Sequence, residues 1–509
     1  MSKALFFITE LQRPVGGLHR FTIELLPAWR KAFDAGKTEF EPMPVSLCDP
    51  SAPKGDLRES KEHLSFSRRT GIKVYCAKRG GEDCMFLENA QSEAARNALH
   101  FALWDKYRIK SERSNGDPFY RLLSGFWEAA PLFAEHVASK EDIAIIDAQD
   151  WLAFPAGFLA RERIKKPLHC RFHSGEFGRA LGKPNADSAP LLVEAAALQE
   201  ADFVSGVSIG EAKFELYNLL PAKQRLKSEL QQSRGHYWKK MQDEREDAYE
   251  EFLLFEAASD LELITQRAAG LTNGIILDPW RKVTFSQIAG GKKLLSKLLP
   301  GKAHYIFFIG RAEYRKGIDA LLQAFAIVRR QGLNAGLVVS SSLSPEDYSK
   351  YYGMCVSLGI ADDVALYNGW LEEDTKKAMI CASDIIALPS LYEPFGLVTL
   401  EALAADMACE LSGLHGPTVV VGDTGGMSEV IRNGASGFKV PMEEDAFGMR
   451  PEMLAKILKM SLSSEELHAR ISKGGAERVQ SRFFDWGFIA TKIFEVYRRA
   501  IENYSKEVE

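Results

Sequence analysis

Short apolar runs alternate along the chain with longer amphipathic stretches, the pattern of parallel strands buried on both faces and covered by helices. Ala4–Thr9 reads as the first strand, a Gly16-Gly17 turn follows, and Leu18 to about Phe33 has helical apolar spacing. Ile143–Ile146 reads as a buried strand, Ala153–Arg163 as a helix and Leu168–Phe172 as the next strand. This first series closes near Asn273-Gly274, ahead of Asp278-Pro279-Trp280. A second opens at His304–Gly310 (HYIFFIG) and continues through a helix from about Ile318 to Arg330. Strands recur at Gly336–Ser340, Val364–Tyr367, Ile385–Leu388 and Pro417–Val421, and Phe484 to Ile501 is an aromatic-rich amphipathic helix.

The natural parse is α/β with two successive doubly wound units, because 509 residues exceed what one core serves. The expected divisions are 1–285, 286–485 and a terminal helix at 486–509. Three stretches resist the pattern. Cys48–Ser114 is rich in charge, glycine and serine and is expected to be an elaborated loop region. Pro221–Glu251 is highly charged with good helix formers, broken at Ser233-Arg234-Gly235, which reads as a solvated helical hairpin or a docking segment. Cys409–Gly416 reads as extra residues between a helix and the strand Pro417–Val421.

Composition narrows the chemistry. The balance of 64 basic against 69 acidic side chains gives a net charge of −5, with no broad basic footprint for nucleic acid. Any phosphate must therefore be held by a few placed cations. Seven scattered cysteines form no C-x-x-C pair, which disfavours zinc ribbons and thioredoxin-like sites and fits buried thiols in a reducing cytoplasm. No apolar stretch reaches the roughly 18 residues of a membrane span, and MSKALFFITELQ reads as a core strand rather than a signal peptide.

Against that background a few segments stand out. In Leu388-Pro-Ser-Leu-Tyr-Glu393-Pro-Phe-Gly-Leu-Val-Thr-Leu-Glu401 a strand ends, a Pro/Gly loop follows and a helix begins. Ligands of open parallel sheets bind at the carboxyl ends of strands, so Glu393 and Glu401 are placed to meet one bound polyol. Glu401 also complements a helix dipole, the plainer reading. In Phe308-Ile-Gly310-Arg311-Ala-Glu-Tyr-Arg-Lys316-Gly317 three cations precede a helix. Cations there oppose the dipole unless an anion is present, and a diphosphate removes the conflict.

Gly16-Gly17 and Thr424-Gly425-Gly426 each follow a strand and precede a helix, where bare backbone can approach a phosphate. Neither G-x-G-x-x-G after a strand nor G-x-x-x-x-G-K-[ST] occurs, which argues against dinucleotide redox enzymes and P-loop ATPases. His173 follows a strand in Arg171-Phe-His173-Ser-Gly-Glu176-Phe-Gly-Arg179. A lone strand-end histidine is commonly structural, but Glu176 and Arg179 beside it mark a polar site, and Gln149-Asp150-Trp151 ends the neighbouring strand. Trp370 ends a strand of the second series and is suited to stack a base or to pack in a core.

Together these segments resemble the retaining GT-B glycosyltransferases, the group 1 enzymes that include glycogen and starch synthases. The likeness runs through VGGL at Val15, QDW at Gln149, HSGEFGR at His173, NGI at Asn273, GRAEYRKG at Gly310, EPFGLVTLE at Glu393 and DTGGMSEVI at Asp423. It implies two Rossmann-like domains facing across a cleft, with 1–285 on the acceptor side, 286–485 binding a nucleotide sugar, and helix 486–509 crossing back to the first domain. Arg311 and Lys316 would bind the donor diphosphate, Glu393 the transferred sugar and Glu401 the ribose. Phe395, Gly396 and Leu397 would line the donor, Gly16, Gly17, Thr424, Gly425 and Gly426 would meet phosphate, and Trp370 would flank the base. His173 would contact the donor sugar near the reacting carbon, with Asp150 and Glu176 on the acceptor side.

Such enzymes need no metal or cofactor beyond the donor, here ADP-glucose or UDP-glucose. The implied partners are that donor and a carbohydrate acceptor, with a homo-oligomer left open. Glycogen-synthase-like α-glucan elongation is the leading expectation. A maker of a small glycoside or glycolipid, and a non-catalytic protein that binds nucleotide sugars, are the alternatives. One departure is Pro14, which stands where many glycogen and starch synthases carry the lysine of Lys-x-Gly-Gly, with Arg13 displaced by one residue.

Overall fold

The computed structural model describes residues 2–12, 16–107, 109, 117–185, 188–219, 268–443 and 448–508. Arg13, Pro14, Val15 and the charged 221–251 segment lie outside the described residues. The chain forms two compact units. Described residues up to 219, with 268–274 and 486–508, belong to the first, and 275–485 to the second, so residues 275–285 group with the second.

The first unit holds nine strands: β1 (Ser2–Ile8), β2 (Phe40–Leu47), β3 (Arg58–Glu59), β4 (Lys73–Arg79), β5 (Glu82–Glu88), β6 (Ile143–Gln149), β7 (Leu168–Phe172), β8 (Phe203–Gly206) and β9 (Ala268–Gly270). Their order is β3-β4-β5-β2-β1-β6-β7-β8-β9, parallel from β5 to β9 and antiparallel in β3-β4-β5. Alternate residues of β1 serve opposite faces. Leu5 and Phe7 join a core with Phe126 and Phe133, whereas Ala4, Phe6 and Ile8 join a core with Trp29, Phe494 and Tyr497. That alternation is why the strand reads as continuously apolar. The second core lies under the helices Gly17–Asp34 and Trp486–Val508, so the last helix completes the first unit.

Over its described residues the Cys48–Ser114 stretch is not a loop region. It contains β3, the helix Leu64–Thr70, the hairpin β4-β5 and the helix Glu93–Tyr107. Lysine, arginine and glutamate dilute the alternation because this antiparallel sheet edge is partly exposed. Strand β2 escapes a pattern reading because Pro42 and Pro44 interrupt it. Its ladder to β5 begins only at Val45, past both prolines.

The second unit holds a wholly parallel sheet of β10 (His304–Ile309), β11 (Ala335–Ser341), β12 (Val364–Asn368), β13 (Ile385–Leu388), β14 (Thr418–Gly422) and β15 (Phe438–Val440). The order is β12-β11-β10-β13-β14-β15. The helix Ile318–Arg330 buries Leu321, Leu322, Phe325 and Val328 at helical spacing and ends on Arg329 and Arg330, which favour its C-terminus. The helix Leu397–Leu411 runs through Cys409, so the expected insertion at Cys409–Gly416 is partly the last turn of a buried helix. The seven cysteines are free thiols, all buried except the half-buried Cys76. Among the described residues no helix is long and apolar enough to cross a membrane.

Candidate active site

In the second sheet the chain winds from β10 out to β12, then returns past β10 to β13, β14 and β15. The reversal falls between β10 and β13, whose carboxyl ends carry the loops of Lys316 and Glu393. A doubly wound sheet opens its ligand crevice at such a reversal.

Lys316 Nζ donates to Glu393 Oε2 across this point. Arg315 Nε donates to Glu313 Oε2 at 2.6 Å, and Arg311 Nη1 lies 2.9 Å from Glu313 Oε1. The Arg315 carbonyl accepts from Leu391 N at 2.7 Å, which ties the two loops by their backbones. Burial pushes the Glu393 carboxyl up, but the Lys316, Arg315 and Arg311 charges more than offset it and hold it below its ordinary value. The Arg311 side chain is 73 % exposed, against 14 % for Lys316, so Arg311 is the cation most open to a ligand.

The Glu393 loop is clamped by glycines on both sides. A Cβ on Gly317 (φ 73°) would sit 2.0 Å from the Pro389 carbonyl oxygen, and one on Gly425 (φ 50°) would sit 1.9 Å from that of Glu393. Both positions combine a left-handed backbone with a contact that no side chain permits. Gly426 N donates to the carbonyls of Glu393 (3.2 Å) and Pro394 (3.0 Å). Its amide thus supports the neighbouring loop. Thr424 is buried, and Gly425 opens a helix of only six residues.

Phe395 is buried, Gly396 (φ 89°) caps the helix Leu397–Leu411, and Leu397 is its first residue. Glu401, 1 % exposed, accepts from Lys376 Nζ at 2.8 Å. Lys376 lies on the helix Glu373–Ala382, and no linear spacing links it to Glu401. Trp370, 65 % exposed, follows the edge strand β12, separated from β13 by β11 and β10.

In the first sheet the reversal falls between β1 and β6. Gly16 (φ 99°) caps the helix Gly17–Asp34, with the Glu10 carboxylate against it. Asp150, just beyond β6, holds a left-handed backbone (φ 64°) and accepts from Trp151 N at 2.9 Å. Burial pushes its carboxyl up to about 6, opposed by Arg179 and the Trp151 amide. His173 Nε2 lies 2.9 Å from Gln149 Oε1, and its ring meets Phe21 edge-on at 4.7 Å. Burial, then the Arg171 and His169 charges, hold it well below the ordinary histidine value, so it is neutral.

The Glu176 carboxylate accepts from Arg179 Nε at 3.0 Å, and its amide donates to Glu194 Oε2 at 2.8 Å. Glu211 and Glu215 accept from the amides of Gly175 and Gly178 at 3.0 and 2.7 Å. These buried acids fix the HSGEFGR turn, and burial drives Glu194 up to about 8. Glu194 was visible only as an acid within the apolar helix Ala189–Glu200.

Residues 293–478 match the family described as "Glycosyl transferases group 1". An uncharacterized glycosyltransferase of Methanocaldococcus jannaschii is 32% identical over 197 residues, 39% of this chain and 45% of that protein. A D-inositol 3-phosphate glycosyltransferase of Streptomyces griseus is 29% identical over 218 residues, 41% of this chain and 42% of the relative. A glycogen synthase of Mycobacterium tuberculosis is 27% identical over 203 residues, 38% of this chain and 42% of the relative. The matched region thus spans less than half of each of these relatives. In fold, the chain is similar to the catalytic domain of starch synthase IV from Arabidopsis thaliana bound to ADP and acarbose, with TM-score 0.63 and 17% identity over 98% of this chain and 99% of that one. The fold is the mixed α/β arrangement of the GT-B glycosyltransferases.

Proposed function

We propose that this chain, a group 1 glycosyltransferase over residues 293–478, transfers a hexose from a nucleotide sugar to a carbohydrate acceptor with retention of configuration. The observation that carries the reading is the Lys316–Glu393 pair at the β10–β13 reversal, flanked by Arg311 and Arg315. In this reading the exposed Arg311 and the half-buried Lys316 take the donor diphosphate, and negative charge that develops on the leaving phosphate meets preorganised cations. Glu393 accepts from hydroxyls of the transferred sugar, and Trp370 stacks the base. Glu401 meets the ribose once Lys376 yields to it. The chemistry calls for no metal, because protein cations do its work.

Glucose from ADP-glucose or UDP-glucose, with an α-glucan acceptor, is the preferred assignment, in keeping with the likeness to a glycogen synthase. Transfer to a small polyol acceptor is the second reading, favoured by the likeness to the D-inositol 3-phosphate glycosyltransferase.

A thermal-shift screen against ADP-, UDP-, GDP- and TDP-sugars identifies the donor. At a hundredfold above its Kd a donor adds about 2.7 kcal/mol of stability. Incubation with oligomaltose or with inositol phosphates then separates the two readings. No stabilisation and no transfer from any of these donors sinks both.

A further inference from the structure

The first unit contains a buried hydrogen-bonded line that the proposed chemistry does not use. Asp147 on β6 is 1 % exposed and accepts three bonds. His169 Nδ1 (2.8 Å) and Gln149 Nε2 (2.6 Å) meet its Oδ1, and the Tyr497 hydroxyl (2.5 Å) meets its Oδ2. His169 Nε2 in turn lies 2.8 Å from Ser205 Oγ. Gln149, fully buried, passes the line on through its Oε1, 2.9 Å from His173 Nε2. Tyr497 comes from the helix Trp486–Val508, some 350 residues away along the chain.

The donors and acceptors along this line have one consistent assignment. A carboxylate only accepts, so Gln149 must turn its amide NH2 toward Asp147. That leaves the Gln149 oxygen facing His173, and an oxygen there also only accepts. His173 must therefore carry its proton on Nε2. Burial and the neighbouring Asp147 charge hold the Tyr497 phenol well above its ordinary value, so it stays a donor. Arg171, also in this seam, is bonded to the Leu271 carbonyl at 2.8 Å and lies over the Phe21 ring. It raises the cost of a second positive charge on His173 without bonding to Asp147.

We propose that Asp147 and Gln149 are positioning residues that lock His173 in its Nε2–H form, leaving Nδ1 as an acceptor for a sugar hydroxyl, with the Tyr497 hydroxyl steadying Asp147. The sugar in this statement rests on the glycosyl-transfer reading; the tautomer does not. A neutral acceptor suits a reaction in which the anomeric carbon gains positive charge, because an imidazolium there would oppose it.

The test is a long-range 1H–15N spectrum of the full chain labelled at histidine nitrogen, with His173→Ala to assign the signal. The expected wild-type pattern is a neutral ring with Nε2 protonated. Gln149→Leu is expected to give a mixture of tautomers and a kcat lower by tenfold or more, with the donor KM within twofold. Tyr497→Phe keeps the packed ring and is expected to retain the tautomer while kcat falls two- to fivefold. Should Gln149→Leu fail to fold, Asp147→Asn frees the Gln149 amide to turn over and must give the same mixture. An Nδ1–H wild-type ring, or a pure Nε2–H ring in the variant that cuts the line, overturns the proposal. Absence of transfer by the wild type would instead remove the sugar and leave the tautomer to be judged on its spectrum.

Discussion

Replacing Gly317 with alanine tests the clamp on the Glu393 loop most directly. Two costs add. An L-residue held at φ 73° costs about 1–2 kcal/mol for the left-handed backbone alone. The new methyl would also lie 2.0 Å from the Pro389 carbonyl oxygen, so backbone must move by about 1 Å. Forced insertion of this kind costs about 1–3 kcal/mol. Gly359→Ala is the control, because Gly359 has nearly the same φ (72°) with nothing within 4 Å of the added Cβ.

Urea unfolding should therefore place Gly317→Ala about 2–5 kcal/mol below wild type and Gly359→Ala only about 1–2 kcal/mol below. Hydrogen exchange should rise in residues 389–396 for the first variant alone. A 1 Å displacement of a positioned group can cost about 100-fold in rate, and a fall of that order is expected for transfer by Gly317→Ala. If the two variants unfold within about 0.5 kcal/mol of each other, the loop is not held by this contact.

Three further outcomes follow from the same geometry. Lys316→Met leaves Glu393 buried without its nearest cation and should cost about 2 kcal/mol at pH 7, below the 3–5 typical of a broken buried pair because Arg315 and Arg311 remain. The Glu393 carboxyl is depressed in the folded state, so the pair's contribution is present at neutral pH and lost as pH falls below about 4.5; a wild-type-to-variant gap that does not narrow there contradicts the assignment. Asp406 is sealed in the second unit, and burial raises its carboxyl well above the ordinary 3.8. Its folded form therefore holds its proton longer, and stability falls as pH rises above 3.8. Asp406→Asn should flatten that part of the Tm–pH curve, and an unchanged slope refutes the claim. Trp370→Ala should leave the melting temperature unchanged and weaken nucleotide binding roughly 5- to 100-fold by calorimetry, the range of a lost stacking contact.

The sequence is informative where one strand, one loop and one helix follow in order. Glu393, Arg311 and Lys316 could be placed at strand ends because Ile385–Leu388 and His304–Ile309 are unmixed apolar runs. What it could not display is pairing between distant segments. Nothing in the spacing of Lys376 and Glu401, or of Asp147 and Tyr497, shows that they meet. At 425 and 426 the lack of a side chain also serves the protein's own loop, a contact that Gly-Gly spacing does not display. Proline in β2 and charge in β4 and β5 hid strands whose pairing on the sheet edge tolerates both.

The helix Trp486–Val508 has a consequence for the order in which the chain matures during synthesis. Phe21, Trp29 and Phe40 are synthesised well ahead of their covering residues Ile493, Phe494 and Tyr497. At about 5–20 residues per second that apolar face waits about 20–90 s. The second unit, whose described residues run from 275 to 485, can finish before the first. A nascent chain stalled short of residue 486 should therefore hold a folded second unit and a sticky, chaperone-binding first one.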